Sequence, residues 1–194
     1  MTGKDLLETV TLMGFAKTLE HNEDYFFRAA NLSLSRICRS FALLGKFTLF
    51  PKADESYDVA LQKDDFLGFP ASFLQRDADT GGRTRPLFLS EGVDFCVRGS
   101  TIFFLRDTDT PVTVYYIRRA RTLTRDSLDE PLDVHPMAES LLPLLCASYL
   151  WLDDRGELAT QYLTLYHREA EELKRLLYRH GSIRIASSNG WDRT

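Results

Sequence analysis

The apolar residues of this chain change their spacing twice, and this change constrains the fold more than any single motif. Near both ends they recur every three or four residues, which is the period of a helix buried on one face. Between about residue 46 and residue 119 they alternate, and glycine and proline interrupt the run, which is typical of strands joined by turns. The sequence therefore predicts an α+β protein, a helical bundle with an inserted antiparallel β-sheet.

Two helices are predicted at the N-terminus. The first spans about Lys4 to Glu20, because the hydroxyl of Thr2 is placed to accept a free amide of the first turn. The second follows the sequence HNED and ends at Gly45, since glycine is the usual residue just after a helix. Its apolar stripe consists of Phe26, Phe27, Ala30, Leu34, Ile37, Cys38, Phe41 and Leu44.

Three strands are predicted in the most regular part of the alternating segment, EGVDFCVRGSTIFFLRDTDTPVTVYYIRR. They span Val93 to Val97, Thr101 to Arg106 and Val112 to Arg118. Short turns that contain glycine or aspartate separate them, so an antiparallel meander is the simplest connection.

A helical hairpin is predicted in the C-terminal part of the chain. Pro136 can open its first helix, since the amide that proline lacks has no partner in the first turn, and Pro143 bends this helix or delays its start. The second helix follows Gly156. The adjacent carboxylates Asp153 and Asp154 fall in the polar loop between the helices, where an aspartate also favours the start of the second helix as its N-cap.

These elements divide the chain into three parts. Residues 1–45 and 120–181 form a helical domain, residues 46–119 form a β-rich insertion, and residues 182–194 form a flexible C-terminal tail. The tail carries isolated apolar residues that are candidates for contact with another protein: Ile183, Ile185 and Trp191.

The charge of the chain argues against a general attraction to nucleic acid or an anionic membrane. It has 24 Lys and Arg against 28 Asp and Glu, which gives a net charge of -4. Two basic clusters either pair with neighbouring acids, which we favour, or face DNA as a positive rim. Their candidate residues are Arg83, Arg85, Arg118, Arg119 and Arg121. The sequence shows neither an apolar stretch of the roughly 20 residues that a membrane helix needs nor a signal peptide, so we expect no membrane partner.

The familiar signatures of catalysis are missing from the sequence. HExxH, paired CxxC, GxSxG and a glycine-rich phosphate loop do not occur. The stretch DADTGG, Asp77 to Gly82, does not continue as a calcium loop, because its twelfth position is Phe88 rather than a bidentate glutamate. We therefore expect a plain loop there, and no catalytic residue, metal or cofactor in the chain. An enzyme would have to use Asp153 and Asp154, with His135, as acid–base groups.

The three cysteines are predicted to be reduced thiols in the core. Cys38, Cys96 and Cys146 are odd in number, far apart and embedded in apolar runs, which does not fit a disulfide framework. This pattern is typical of a protein made in a reducing compartment.

In the order of its parts, the chain resembles the bacteriophage head-to-tail adaptor proteins, also called connector or head-completion proteins, including the tail-tubular-A type. The likeness covers about Glu91 to Leu177. There, EGVDFCVRGSTIFFL precedes PVTVYYIRR, and LDEPLDVHPMAESLLPLLCASYLWLDDRGELATQYLTLYHREAEELKRL follows. In that family a similar strand pair with an aromatic and basic end leads through an acidic, proline-containing linker into a helical hairpin.

The resemblance implies a structural protein without enzymatic activity. It implies a homo-oligomeric ring at the virion neck, assembled in the cytoplasm of the bacterial host, that binds the portal protein on one side and tail or neck proteins on the other. In such a ring, Ile183, Ile185 and Trp191 are the candidate contacts to the portal protein or a neighbouring subunit. Genomic DNA would pass through the ring with transient, nonspecific contact. A non-viral protein–protein interaction module built on a helical hairpin stays open as the alternative.

Overall fold

The computed structural model describes residues 1–15, 23–53, 55–79, 84–108 and 110–179, with only the backbone described for residues 77–79, 84–86, 178 and 179. The chain divides into two compact units. The helical unit contains Met1–Leu43 and Ala120–Ile183, and the strand unit contains Leu44–Arg119. The described residues form helices and antiparallel sheets, so the predicted α+β class is confirmed.

Helix α1, Gly3–Val10, begins with the cap that the sequence predicts. The Thr2 hydroxyl accepts a hydrogen bond from the Asp5 amide at 3.1 Å, and the Asp5 carboxylate accepts one from the Thr2 amide at 2.7 Å. These reciprocal bonds satisfy two backbone donors that have no partner within the helix. The carboxylate gains two hydrogen bonds to its charged form, and these hold the pKa of Asp5 below its ordinary value.

The first α-helix ends at Val10, well before the predicted end at Glu20. After Val10 the chain forms a π-helical turn, Thr11–Phe15, which contains a kink at Gly14 with a φ of 108°. Glycine adopts this backbone conformation without the steric penalty that a Cβ atom would bring. The remainder of the predicted helix, from residue 16 to Glu20, lies outside the described residues.

Helix α2 spans Glu23–Ser40, so its predicted end at Gly45 is wrong. Ala42, with a φ of 38°, takes the left-handed conformation that commonly follows a helix. Gly45 belongs instead to strand β1, Leu44–Leu49, where the ring of Tyr116 covers it. The glycine serves close packing between strands rather than helix termination.

The described residues of the strand unit form two antiparallel sheets. The remaining strands are β2 Ser56–Asp58, β3 Phe66–Gly68, β4 Leu74–Asp79, β5 Thr84–Phe88, β6 Phe95–Arg98, β7 Thr101–Phe104 and β8 Val112–Arg118, and the short helix α3, Val59–Gln62, follows β2. In the larger sheet the order is β1-β8-β4-β5, with β3 also paired to β8; in the smaller sheet it is β2-β7-β6.

The predicted meander is correct for its first connection and wrong for its second. Strands β6 and β7 form an antiparallel hairpin in which Phe95 lies opposite Phe104. Strand β8 does not join them, because β7 is already paired with β2 on one side and β6 on the other. It pairs instead with β1, β3 and β4 of the larger sheet. Alternating hydrophobicity identifies a strand but does not identify its neighbour.

The predicted loop at Asp77 to Gly82 begins too early. Strand β4 continues to Asp79 and pairs in antiparallel register with β5, with Asp77 opposite Pro86. Only residues 80–83 separate these strands, and they lie outside the described part of the chain.

A second pair of helices completes the helical unit. A 3₁₀ turn, Pro136–Ala138, leads into α4, Leu141–Leu150, and α5 spans Gly156–Arg179. Pro143 is the third residue of α4, where its missing N–H has no intrahelical partner to lose. The helix is therefore delayed to Leu141 rather than broken.

Each unit has its own core. That of the helical unit joins buried residues of α1, α2, α4 and α5, including Leu6, Phe26, Leu34, Leu142, Leu145 and Tyr166. The strand unit buries residues from both sheets and from the short helix α3, including Val59, Leu74, Phe95, Ile102, Phe104 and Val114. Since apolar side chains fill both, each unit is stabilised by its own hydrophobic burial.

Candidate functional site

The paired aspartates of the hairpin turn are exposed, and one of them has a clear structural role. The hydroxyl of Tyr25 on α2 donates a hydrogen bond to a carboxylate oxygen of Asp153 at 3.0 Å. The same hydroxyl lies 3.4 Å from the carbonyl oxygen of Tyr149 on α4. Asp153 thus ties the turn to α2.

The second helix of the hairpin does not begin as the sequence predicts. It starts at Gly156, so Arg155 precedes it directly, and neither Asp153 nor Asp154 occupies the N-cap position. The guanidinium of Arg155 lies over the ring of Trp151, 5.5 Å from its centroid, at the end of α4. The prediction of an aspartate cap is wrong, because the Arg155 carbonyl accepts the first hydrogen bond of α5, from the Ala159 amide, and Asp153 bonds to Tyr25.

A second contact joins α2 to the hairpin. The guanidinium of Arg36 donates to the hydroxyl of Tyr149 at 3.4 Å and lies 5.8 Å from the centre of the Tyr166 ring. The hydrogen bond to Tyr149 raises the pKa of Arg36, and burial raises the pKa of Tyr25 with a smaller contribution from its bond to Asp153. These shifts favour a charged arginine and a neutral tyrosine, which are the forms that make the observed contacts.

His135 lies in different surroundings from Asp153 and Asp154, the other two groups that an enzyme would have to use. The Nδ1 atom of His135 accepts a hydrogen bond from the Met137 amide at 3.3 Å and so caps the 3₁₀ turn. Within the described residues, no hydrogen bond or ion pair connects His135 with Asp153 or Asp154. In the same part of the chain, no cluster of three or more histidine, cysteine and acidic residues has the arrangement of a metal site.

The cysteines lie in three different environments. Cys146 on α4 is fully buried, and burial raises the pKa of its thiol to about 12. The thiol of Cys38 is buried and lies 3.5 Å from the carbonyl oxygen of Asp133. Cys96 is half-buried on β6. Since the thiolate is the nucleophilic form, Cys146 is unreactive at neutral pH.

The described candidates for DNA-facing arginines have different surroundings. Arg121 donates to the carboxylate of Glu130 at 3.2 Å, and its backbone amide donates to Asp133. Arg118 is half-buried at the end of β8, and Arg119 is exposed. Arg83 lies outside the described residues, and Arg85 is described only as a backbone position in β5. For Arg121, the ion pair favours the prediction of pairing with acids.

The candidate contact residues of the tail, Ile183, Ile185 and Trp191, lie outside the described residues. Across the residues that are described, no helix has both the length and the apolar character needed to cross a bilayer.

The helical unit has an apolar groove that the sequence does not predict. It has a volume of about 450 Å³ and lies where the π-helical turn, the start of α4 and the middle of α5 meet. Its lining includes Met13, Pro143, Leu144 and Leu165, with Thr9 and Glu169 beside them. Next to Met13 in the sequence, Leu12 exposes 89% of its surface, and Leu165 exposes 36%.

The only sequence signal for this groove is weak. Leu12 lies off the stripe through Leu6 and Val10, so helical spacing places it on the outer face of the first helix. Nothing in the sequence brings this turn beside residues of α4 and α5. The groove arises from three segments that are distant along the chain.

The chain matches no protein-family model and no curated protein sequence. Its function is therefore inferred from the contacts and the exposed surfaces of the molecule itself.

Proposed function

We propose that this protein is a structural subunit that assembles with copies of itself into a ring, and that the ring is a bacteriophage head-to-tail adaptor between portal and tail. One observation carries the proposal: the helical unit has a well-filled core of its own and still has a groove lined mainly by apolar residues, among them the exposed Leu165. Contiguous apolar surface of this kind is typical of interaction sites.

The leucines of the helical unit differ widely in exposure, and this difference supports an interface. Leu6, Leu34 and Leu145 are at most 1% exposed, so the core does not lack apolar residues. Leu12 and Leu165 nevertheless remain 89% and 36% exposed. Burial of such side chains against a partner gains about 25 cal/mol for each Å² removed from water, whereas their exposure gains the isolated chain nothing.

The contacts around the hairpin suit a subunit that must keep its shape. Tyr25 and Arg36 on α2 both bond to the hairpin, at Asp153 and Tyr149 respectively. Helices α4 and α5 are therefore held to a third helix by polar contacts as well as by core packing. A preformed surface loses less conformational entropy on association than one that orders on binding.

The charge of the chain is compatible with a passage for DNA. Each contact of a lysine or arginine with a phosphate adds affinity, and a channel through which a genome slides must not hold it. With a net charge of -4 and Arg121 paired to Glu130, the chain has little general affinity for phosphate. We include in this proposal the finer arrangement of a helical bundle with an inserted sheet and a location at the virion neck.

A ring of identical subunits follows if one face of each copy binds a different face of the next. Such a head-to-tail contact closes when the rotation per subunit divides a full turn. The portal and the tail or neck proteins would then bind opposite sides of the ring.

Native mass spectrometry and negative-stain electron microscopy of the full chain test the assembly. We expect closed rings of one stoichiometry whose population rises with protein concentration. Chains that stay monomeric at every concentration, or that form only symmetric dimers, would contradict the ring. Portal, capsid and tail genes beside the coding sequence are the expected neighbourhood, and a set of metabolic genes there would contradict the phage role.

The alternative is a protein–protein interaction module outside a virus, and the same groove favours it. A groove on a helical hairpin also fits one apolar segment of a different protein. The two functions differ in stoichiometry, because a module binds its partner one to one and forms no ring.

A further inference from the structure

We propose that the groove on the helical unit binds the segment Ile183–Ile185 from the C-terminal tail of a second copy. This inference rests on the proposed self-assembly and names the contact that joins neighbouring subunits. The receptor is formed by Met13, Pro143, Leu144 and Leu165, and the ligand is an apolar peptide segment with one basic residue.

The groove has the chemistry of a peptide site. Its lining is mainly aliphatic, and its volume of about 450 Å³ lies within the range of clefts that bind ligands. The exposed carboxylate of Glu169 in its lining accepts a hydrogen bond from Arg168 at 3.1 Å. A segment that offers two apolar side chains and one positive charge complements this combination.

The tail offers that pattern. In an extended peptide alternate side chains point to the same side, so Ile183 and Ile185 enter the groove together while Arg184 between them points away. The long side chain of Arg184 must therefore bend back to the edge of the groove to reach Glu169, the one acidic residue of the lining. Since the rim pair Arg168–Glu169 is exposed, a second arginine competes there at little cost.

The geometry of α5 selects a second copy rather than the same chain. Glu169 and Leu165 lie ten and fourteen residues before the end of α5 at Arg179. At about 1.5 Å per residue, the groove is about 15 to 21 Å from that end.

Too little chain follows α5 for the isoleucines to return to that groove. To do so, the chain must reverse direction, and a tight turn takes about four residues. A turn that starts at Arg179 ends at residue 182, so three residues up to Ile185, or roughly 10 Å, remain for the return. That length is shorter than the about 15 to 21 Å to the groove of the same chain. The tail can still reach the groove of a neighbouring copy, which does not have to lie behind the end of α5.

A contact of tail to groove is a contact between two different faces of the subunit. Repeated from copy to copy, it runs in one direction and generates a ring or an open helix rather than a symmetric dimer. The direction of assembly is therefore set by α5, which carries the groove on its side and the tail at its end.

Disulfide trapping between mixed variants tests the proposal. In a Cys96→Ser background, which leaves the buried Cys38 and Cys146, one variant carries Leu165→Cys and the other carries Ile185→Cys. After mixing and mild oxidation of the full-length chains, we expect a covalent dimer that contains one copy of each variant. Leu152→Cys, another exposed leucine on the helical unit, replaces Leu165→Cys as the control and should give only background yield.

A chain that carries both Leu165→Cys and Ile185→Cys distinguishes the possible occupants. Cross-linked oligomers support the contact between copies, whereas a monomer with an internal disulfide, or no cross-link at all, would overturn it. Without cysteines, Ile185→Asp should weaken self-association by about 10-fold or more, because it puts a charge into the groove. Unchanged self-association of that variant would also count against the proposal.

The outcome for the contact is separate from the outcome for the proposed function. Closed rings without cross-links would support the proposed adaptor and contradict the tail-to-groove contact. Cross-linked open oligomers that never close would support the contact and contradict the ring.

Discussion

The side chain of Asn31 on α2 makes two hydrogen bonds to the backbone of Leu123. Its carbonyl oxygen accepts from the Leu123 amide at 2.7 Å, and its amide donates to the Leu123 carbonyl at 3.0 Å. This is the pattern by which one strand bonds another, made here by a side chain. It fixes the segment that follows Ala120 against α2, and the buried side chain of Leu123 joins the core.

We predict that Asn31→Ala lowers the free energy of unfolding by about 1 to 3 kcal/mol, because both backbone groups of Leu123 lose their partner. Asn31→Asp should also destabilise, since a carboxylate accepts from the amide but cannot donate to the carbonyl. Urea unfolding followed by circular dichroism measures both. Arg28→Ala on an exposed position of the same helix is the control and should stay within about 0.5 kcal/mol of the parent. Equal values for Asn31→Ala and the control would contradict the role of this pair.

The bond between Tyr25 and Asp153 should be weak but measurable. Asp153 is exposed and Tyr25 is half-buried, so Tyr25→Phe is expected to cost less than about 1 kcal/mol. A double-mutant cycle with Asp153→Ala isolates the interaction, and we expect the double variant to lose less than the sum of the two single variants. Strictly additive losses would show that the two groups do not interact in solution.

The carboxylates of the turn also separate a structural role from a catalytic one. We predict that the double variant Asp153→Asn with Asp154→Asn stays folded and assembles as the parent chain does, because an asparagine oxygen still accepts from Tyr25. Circular dichroism and native mass spectrometry measure folding and assembly. A folded variant that no longer assembles would contradict the assignment of these residues to the support of the hairpin.

Local signals in the sequence predict the parts of this fold that depend on neighbouring residues. The cap at Thr2 and the bounds of β8, Val112–Arg118, are observed as predicted. A cap needs only residues three positions apart, and a strand with alternating burial shows its period within seven residues. The hairpin of β6 and β7 likewise needs only a short turn between them.

Where a feature depends on residues that are distant along the chain, its prediction from the sequence is wrong or absent. Gly45 reads as the end of a helix until Tyr116 is known to lie over it. The partner of β8 depends on which edges β7 has free, and no local pattern states that. The groove needs Met13, Leu144 and Leu165 together, so it becomes visible only when three segments of the helical unit are packed.

Two glycines should respond oppositely to alanine. A Cβ atom at Gly156, the first residue of α5, meets nothing within 4 Å, so Gly156→Ala should stabilise by up to about 1 kcal/mol through lower chain entropy. At Gly45 a Cβ atom would lie 2.6 Å from Cε1 of Tyr116. The Tyr116 hydroxyl donates to Asp65 at 3.0 Å, which opposes movement of the ring.

Gly45→Ala should therefore destabilise by about 1 to 3 kcal/mol, which is typical of an overpacked site. Thermal unfolding of the two variants beside the parent chain measures both signs. Stabilisation by both alanines would mean that the Tyr116 ring moves away freely, and destabilisation by both would mean that Gly156 has a role in the turn beyond flexibility.

The buried thiol of Cys146 makes stability depend on alkaline pH. Its pKa rises from an ordinary 9.0 to about 12 in the folded chain, because burial disfavours the thiolate. Above pH 9 the unfolded chain therefore releases a proton that the folded chain keeps. The contribution to stability is complete below pH 9 and is lost as pH rises towards 12, with a slope of about 1.4 kcal/mol per pH unit. The pKa values of Tyr25, Tyr57 and Tyr116 are also raised by burial, which adds loss in the same direction from about pH 10.

We predict that Cys146→Ala flattens the fall in stability between pH 9 and pH 11 by about one proton. Urea unfolding at a series of pH values gives that slope. Leu145→Ala is the matched control, because it removes a neighbouring buried side chain without removing a titratable group, so stability falls at every pH while the slope stays. If Cys146→Ala and the parent chain share one slope, the thiol ionises in the folded state, and α4 must then open to solvent in that pH range.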